Sequence, residues 1–161
     1  MERSYCAAKR TTVSWTVAQG RDNGDVVIVS IDDEFRDATR RGGRDTRVSV
    51  RFLGPHMLKS AENRAAFEER FVPALGNRGG VLVAGITRTR PVSYTFLAYS
   101  LGNIEPSAIP LDDSLRSSCT VSVHHDPQWS EYEKWLPARE KGFAHVALIL
   151  RSLLFRLFSR P

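Results

Sequence analysis

The chain has 161 residues, of which 42% are hydrophobic and 25% are charged, and these fractions are ordinary for a globular protein. Its length predicts one domain with a real core, and its net charge of +5 permits acidic partners without requiring them. Its two cysteines, Cys6 and Cys119, form neither a disulfide framework nor a zinc motif. Because the N-terminus also lacks the apolar core of a signal peptide, and no stretch reaches the ~18 uncharged apolar residues of a membrane span, we expect a cytoplasmic protein without a transmembrane segment.

The first 17 residues contain an arm and the first strand. Residues 1–10 are predicted to be a flexible, basic arm, followed by a single folded domain over 11–137 and a C-terminal helix within 138–161. From Thr11 to Val17 polar and apolar residues alternate, which is typical of a half-buried strand. Three apolar side chains are expected to share the face away from water: Val13, Trp15 and Val17.

A hairpin and a third strand follow. Asn23-Gly24 tolerates the positive φ angles of a tight turn, and the β-branched run Val26–Ile31 is predicted to be the returning strand. The segment Asp32–Thr46 has no periodicity and is predicted to be an exposed loop. Arg47–Leu53 alternates again, with its apolar residues expected to point inward.

The middle of the chain predicts a helix and more strands. Ser60 is expected to cap a helix that runs to about Arg70, with Pro73 ending or kinking it. Strands are predicted over Val81–Thr87, Val92–Ser100 and Thr120–His124. The order of elements and the consecutive hairpins indicate an α+β fold. We expect an antiparallel sheet of about five or six strands with helices packed on one face, in which the second half could be ferredoxin-like.

The stretch from Asp126 to Pro137 predicts a complete short helix. Asp126 is suited to cap its N-terminus and Pro127 to occupy its first position, whereas Pro137 ends it. Trp129, Tyr132 and Leu136 would share one helix face. We interpret the two aromatic residues as part of the core rather than as a ligand cage.

The C-terminal segment is apolar nearly all round when it is drawn as a helix. One face carries Phe143, Val146, Leu150, Leu154 and Leu157. At about 16 residues, with Arg151 near its middle, it is too short to span a bilayer. Three interpretations stay open: packing on the domain, pairing with a second copy or a protein partner, and lying on an anionic membrane surface.

Candidate reactive residues are few. Cys119, His124 and His125 are the strongest candidates for a metal or nucleophilic site, but alternation along a strand would place only Cys119 and His125 on one face. The sequence therefore predicts no catalytic site, no cofactor and no metal site. The arginines of 36–51 offer a different surface, which could bind nucleic acid, although acidic residues are interspersed. Its members are Arg40, Arg41, Arg44, Arg47 and Arg51.

Three stretches resemble domain-of-unknown-function family 695, a bacterial family, over about 11–137. They are an early strand with Trp15, a hairpin over Thr87–Phe96, and a closing pattern formed by Asp126, Trp129, Tyr132, Leu136 and Pro137. That family has no assigned activity, and some of its members are fused to a domain resembling a ribonuclease E inhibitor. The resemblance implies a regulatory role near RNA turnover by analogy only.

Taken together, these observations favour a non-catalytic protein-interaction or regulatory domain. Its partner, or a second copy of the chain, would be bound through the C-terminal helix or the water-facing side of the sheet. Two alternatives stay open. One is an RNA-associated regulator that uses the arginine-rich loop, and the other is an enzyme with an unrecognised site near Cys119, His124 and His125.

Overall fold

A computed structural model describes residues 15–55 and 60–136, and within them the chain forms an α+β fold, as predicted. The strands are β1 (Trp15–Asp22), β2 (Asp25–Asp32), β3 (Thr46–Leu53), β4 (Val81–Thr89), β5 (Val92–Ser100) and β6 (Cys119–His125). The helices are α1 (Ala61–Gly76), α2 (Asp113–Ser118) and α3 (Ser130–Trp135). Short 3-10 helices occur at Asp33–Arg36, Ala38–Arg41 and Pro106–Ala108.

The six strands form one antiparallel sheet in the order β1-β2-β4-β5-β3-β6. From β3 to β6 the chain runs strand, helix, strand, strand, helix, strand, with β3 lying between β5 and β6. This is the ferredoxin-like arrangement expected for the second half of the domain. The hairpin of β1 and β2 extends the same sheet beyond β4.

Each face of the sheet carries an apolar cluster, and β5 contributes to both because it is apolar at consecutive positions. Phe96 packs in one cluster with Phe67 and Phe71 of α1, and Leu115 of α2 packs against the same cluster. Leu97 lies in a second cluster, which includes Trp129 and Tyr132 near or within α3. We call these two sides of the sheet the α1 face and the α3 face. Helices on one face were therefore a correct expectation for α1 and α2 and a wrong one for α3.

The inward face predicted for β1 is wrong over the part that the structure describes. Trp15 and Val17 are 40% and 45% exposed, whereas Ala18 is buried. The register pairs Ala18 with Val29, whose side chain lies in the α3-face cluster. Polar–apolar alternation gives the period of a strand, but its pairing with β2 decides which face meets a core.

The segment between β2 and β3 is not a simple exposed loop. Asp32 caps the first 3-10 helix by accepting from Glu34 N at 3.0 Å, and Asp37 caps the second by accepting from Thr39 N at 2.9 Å. Phe35 is buried, with its ring centroid 5.7 Å from that of Trp129. One aromatic residue without a periodic neighbour was too weak a signal to predict this packing.

Helix α1 begins as predicted and ends later. The Ser60 hydroxyl accepts from Asn63 N at 3.1 Å. The helix continues past Pro73 to Gly76, because Phe71 and Leu75 on either side of the proline are both buried against the α1 face. Tertiary packing here outweighs the hydrogen bond that Pro73 cannot donate.

Within the described ranges, no helix is long and apolar enough to cross a membrane. The predicted N-terminal arm, Pro137 and the predicted C-terminal helix lie outside those ranges.

Candidate functional site

The closing pattern positions α3 on the sheet. Trp129 has a left-handed backbone (φ 56°), so the helix begins at Ser130 and not at Pro127 as predicted. Asp126 still serves the helix N-terminus, since its carboxylate accepts from Ser130 N at 2.9 Å and Glu131 N at 3.3 Å. The tight turn before Ser130 is what allows a carboxylate four residues upstream to reach these donors.

The aromatic residues of this pattern form a buried clamp. The Trp129 ring stacks on Tyr99 with centroids 4.0 Å apart, and its Nε1 donates to Arg44 O at 2.6 Å. Tyr132 donates its hydroxyl to Asp32 O at 2.7 Å. Both Trp129 and Tyr132 are buried, so the clamp attaches α3 to the sheet rather than offering rings to a ligand.

Asp126 and Tyr99 share one buried hydrogen bond of 2.7 Å. Burial, followed by the bond to Asp126, raises the pKa of the Tyr99 hydroxyl. Burial alone would raise the pKa of Asp126, but hydrogen bonds from Ser130 N, the Tyr99 hydroxyl and Glu131 N hold that pKa below its ordinary value. The pair is therefore a neutral phenol that donates to a carboxylate.

Beyond the clamp, the α3 face carries a groove of 370 Å³ that is lined by polar residues and by Leu53, Ile86 and Leu97. Its floor follows the register: Arg51 lies between Thr95 and Thr120, and Ser49 lies between Leu97 and Ser122. Because α3 is only six residues long, it leaves this part of the face uncovered. We call this feature the arginine groove, and its polar lining is Arg47, Ser49, Arg51, Arg88, Thr95, Thr120, Ser122 and Glu131.

Positive charge dominates the arginine groove. Arg47 lies 3.6 Å from Glu131, and Arg88 is bonded to Asp22 at 2.7 Å. Three buried polar atoms of the lining have no hydrogen-bond partner among the described residues: Nε of Arg47, Nε of Arg51 and Oγ1 of Thr95. A buried donor without an acceptor is costly, so these atoms are suited to bind an acceptor that enters from outside.

The other arginines of the predicted basic surface are engaged elsewhere. Arg40 lies 3.5 Å from Glu34, whereas Arg41 pairs with Glu133 and lies over the Trp129 ring. Arg44 donates to the carbonyls of Gly79 and Arg41 at 2.6 and 2.9 Å. These three side chains brace the 3-10 segment, and only Arg47 and Arg51 meet at the groove.

Sequence reasoning missed several groove residues. Arg88 lies just beyond the predicted strand Val81–Thr87, but in the structure it belongs to β4. Thr95, Ser122 and Glu131 carried no motif. The usable signal was a pair of polar residues two positions apart on each of two predicted strands. Ser49 and Arg51 share a face of one strand, and Thr120 and Ser122 share a face of the other. The strand pairing that brings those faces together could not be deduced from either strand alone.

The candidate cysteine–histidine site is not assembled in the fold. Cys119 and His125 share the α1 face, as alternation predicted, but they lie at opposite ends of β6, about 20 Å apart. His124 pairs with Arg47 on the other face. Burial raises the pKa of the Cys119 thiol, which lowers its thiolate fraction. Across residues 15–55 and 60–136, no three His, Cys, Asp or Glu side chains come close enough to hold a metal ion.

Comparisons with protein-family models, with curated proteins and with solved structures found no match. The resemblance to family 695 thus stays a prediction that depends on the residues quoted for it. The structure adds what those residues do here: Asp126, Trp129 and Tyr132 attach α3 to the sheet.

Proposed function

We propose that this chain is a non-catalytic binding domain whose arginine groove takes an anionic ligand carrying phosphate or carboxylate groups. The supporting observation is the set of buried, unpartnered donors in the groove, at Arg47, Arg51 and Thr95. A guanidinium presents donors in a planar fork that matches both kinds of oxyanion. A ligand that accepts from these atoms would remove the cost of burying them without a partner.

The charge balance of the groove favours an anion. Its lining contains the guanidinium groups of Arg47, Arg51 and Arg88 and a single carboxylate, that of Glu131. Glu131 lies 3.6 Å from Arg47 and accepts from Trp135 Nε1 at 3.0 Å, so this carboxylate is already engaged by two neighbours. Nε of Arg51 has no hydrogen-bond partner and no ion pair among the described residues includes Arg51, so it is the cation most available to a ligand.

The groove does not suit a ligand that is held mainly by base stacking. Ferredoxin-like RNA-binding domains stack bases on aromatic residues of the open sheet face. Tyr99 lies on the α3 face of β5 but is fully buried under Trp129, so its ring is closed to a base. We therefore favour contacts to oxyanions over base stacking, and binding of RNA becomes one outcome of the test.

Titration calorimetry of the full chain with pyrophosphate tests the proposal. Arg51→Gln is expected to weaken binding tenfold or more, because a hydrogen bond to a charged group contributes about 1.5–3 kcal/mol. Arg78→Gln is the matched control, since Arg78 is exposed in the turn before β4 and is not part of the groove.

Equal binding by wild type and both variants would contradict the assignment of the groove. A parallel titration with a single-stranded oligouridine separates the RNA alternative. RNA binding that Arg51→Gln weakens, without pyrophosphate binding by the wild type, would favour that alternative over a small anion.

A further inference from the structure

No described element covers the α1 face of β1 and β2. Trp15 and Val17 of β1 are exposed there, and Ile28 of β2 is half-buried. In a ferredoxin-like unit the helices cover four strands, so the two strands added at the β4 edge lie beyond α1 and α2. We call the uncovered pair of strands, β1 and β2, the ribbon. Two cavities of 410 and 200 Å³ lie between the ribbon and α1, and Trp15 and Glu68 line both.

We propose that the C-terminal segment 143–158 covers this ribbon as a helix lying beside α1. The proposal is independent of the anion-binding function, because the ribbon and the arginine groove are on opposite faces of the sheet. It commits to one occupant, the chain's own C-terminus, in preference to a second copy or a foreign partner.

The dimensions of the uncovered ribbon match one helix. Neighbouring strands lie about 4.8 Å apart, so two strands present a width of about 10 Å, which is the diameter of a helix with its side chains. Strand β1 has eight residues and is about 27 Å long. A 16-residue helix would measure about 24 Å.

The chemistry of the segment also matches. It contains ten large apolar residues in 16 positions, distributed over most of its surface. A helix that is apolar nearly all round requires burial on more than one side. A helix lying between the ribbon and α1 would contact the ribbon with one side and α1 with another. The smaller cavity contains a single charged group, that of Glu68, which Arg151 or Arg156 could pair with. The larger cavity is lined by three carboxylates, those of Asp32, Glu34 and Glu68, and by two guanidinium groups, those of Arg40 and Arg44.

The chain can reach the ribbon from the end of α3. Lys134 Nζ lies 3.0 Å from Asp22 Oδ1, which places the last turn of α3 beside the end of the β1–β2 hairpin. The six residues 137–142 can extend about 20 Å, sufficient to pass around the edge strand β1 from one face of the sheet to the other. A helix that starts on the α1 face near Asp22, at the hairpin end of β1, would run toward Trp15 at the other end of the strand.

Disulfide trapping in the full chain tests the proposal. On a Cys6→Ser, Cys119→Ser background, Val17→Cys is combined in turn with Val146→Cys, Leu150→Cys or Leu154→Cys, which lie at one-turn intervals. Under mild oxidation of dilute protein, at least one pair is expected to form an intramolecular disulfide. The matched control replaces Val17→Cys by Ser122→Cys on the opposite face, and it is expected to form none with the same partners.

Two results would overturn the proposal: no disulfide with any of the three partners, or disulfide-linked dimers as the main product, which would instead indicate a second copy. Tryptophan fluorescence provides a measurement that needs no cysteine. The difference spectrum between wild type and Trp15→Phe isolates Trp15, whose emission is expected to be blue-shifted like that of a buried indole. Leu150→Asp is expected to shift it to the red, and a solvated Trp15 in the wild type would also overturn the proposal.

Discussion

At the scale of single residues, Asp126 links three parts of the fold. Its carboxylate accepts from the Tyr99 hydroxyl of β5 and from the first N–H groups of α3. Its own amide donates to Asp45 O at 2.6 Å, just before β3. Because the side chain is buried, removing it would leave a phenol and two helix amides without their acceptor.

We therefore expect Asp126→Ala to lower the free energy of unfolding by about 3 kcal/mol, which combines a lost helix cap with an unsatisfied buried hydroxyl. Urea denaturation monitored by circular dichroism measures the change. Glu105→Ala is a suitable control, since Glu105 is exposed and its side chain makes no cap hydrogen bond. A loss below 1 kcal/mol would contradict this role for Asp126.

Asp22 supplies a pH-dependent contribution to stability. Hydrogen bonds from Arg88 and Lys134 hold the pKa of Asp22 below its ordinary value. A carboxyl group with a lowered folded-state pKa stabilises the fold above its unfolded pKa of about 3.9, and this contribution disappears as pH falls through the folded value. Asp22→Asn should therefore lower stability at pH 6 and have little effect at pH 2.

Urea midpoints of wild type and Asp22→Asn at several pH values test this prediction. The difference between the two proteins is expected to shrink below about pH 4. Asp113→Asn, at an exposed position of α2, provides a comparison without an ion pair in the described structure. A difference that grows toward acid would contradict the assigned sign.

At the scale of elements, local signals identified much of the secondary structure. The Asn23-Gly24 turn, the Ser60 cap and the inward alternation of β3 are all present. The errors have a common origin in tertiary pairing. The orientation of β1, the burial of Phe35 and the extension of α1 past Pro73 depend on distant partners, which periodicity within one segment does not contain.

The Ser60 cap can be tested by itself. Ser60→Ala is expected to lower the free energy of unfolding by about 1 kcal/mol, because it removes the acceptor of the Asn63 amide at the start of α1. Ser60→Asp should retain most of the stability. Ser107→Ala, in an exposed 3-10 helix, serves as the control in the same denaturation experiment. Equal loss in the alanine and aspartate variants would contradict a capping role.

At the scale of the whole molecule, β5 joins two cores. Phe96 and Ala98 belong to the α1-face cluster, whereas Leu97 and Tyr99 belong to the α3-face cluster. Apolar residues stand at consecutive positions of this strand, but we expected helices on one face only and did not predict that the closing helix would pack on the other. The arginine groove was unpredictable for the same reason, since it is the part of the α3 face that this helix leaves open.

Because the two cores share one strand, they should unfold together. Phe71 lies only in the α1-face cluster, stacked on Phe67 with ring centroids 5.0 Å apart. Phe71→Leu is expected to cost about 1–2 kcal/mol through imperfect repacking of the smaller side chain. In a Trp15→Phe background the remaining tryptophans, Trp129 and Trp135, belong to the α3-face cluster. Their fluorescence therefore reports the side of the sheet that the substitution does not touch.

If β5 couples the cores, Phe71→Leu lowers the urea midpoint equally by tryptophan fluorescence and by far-ultraviolet circular dichroism, as a two-state transition requires. The Trp15→Phe protein without the second substitution is the reference for both signals. A fluorescence midpoint that stays at the reference value while circular dichroism shifts would mean that the α3 face unfolds independently. In that case the clamp of Asp126, Trp129 and Tyr132 would hold its half of the sheet without support from α1.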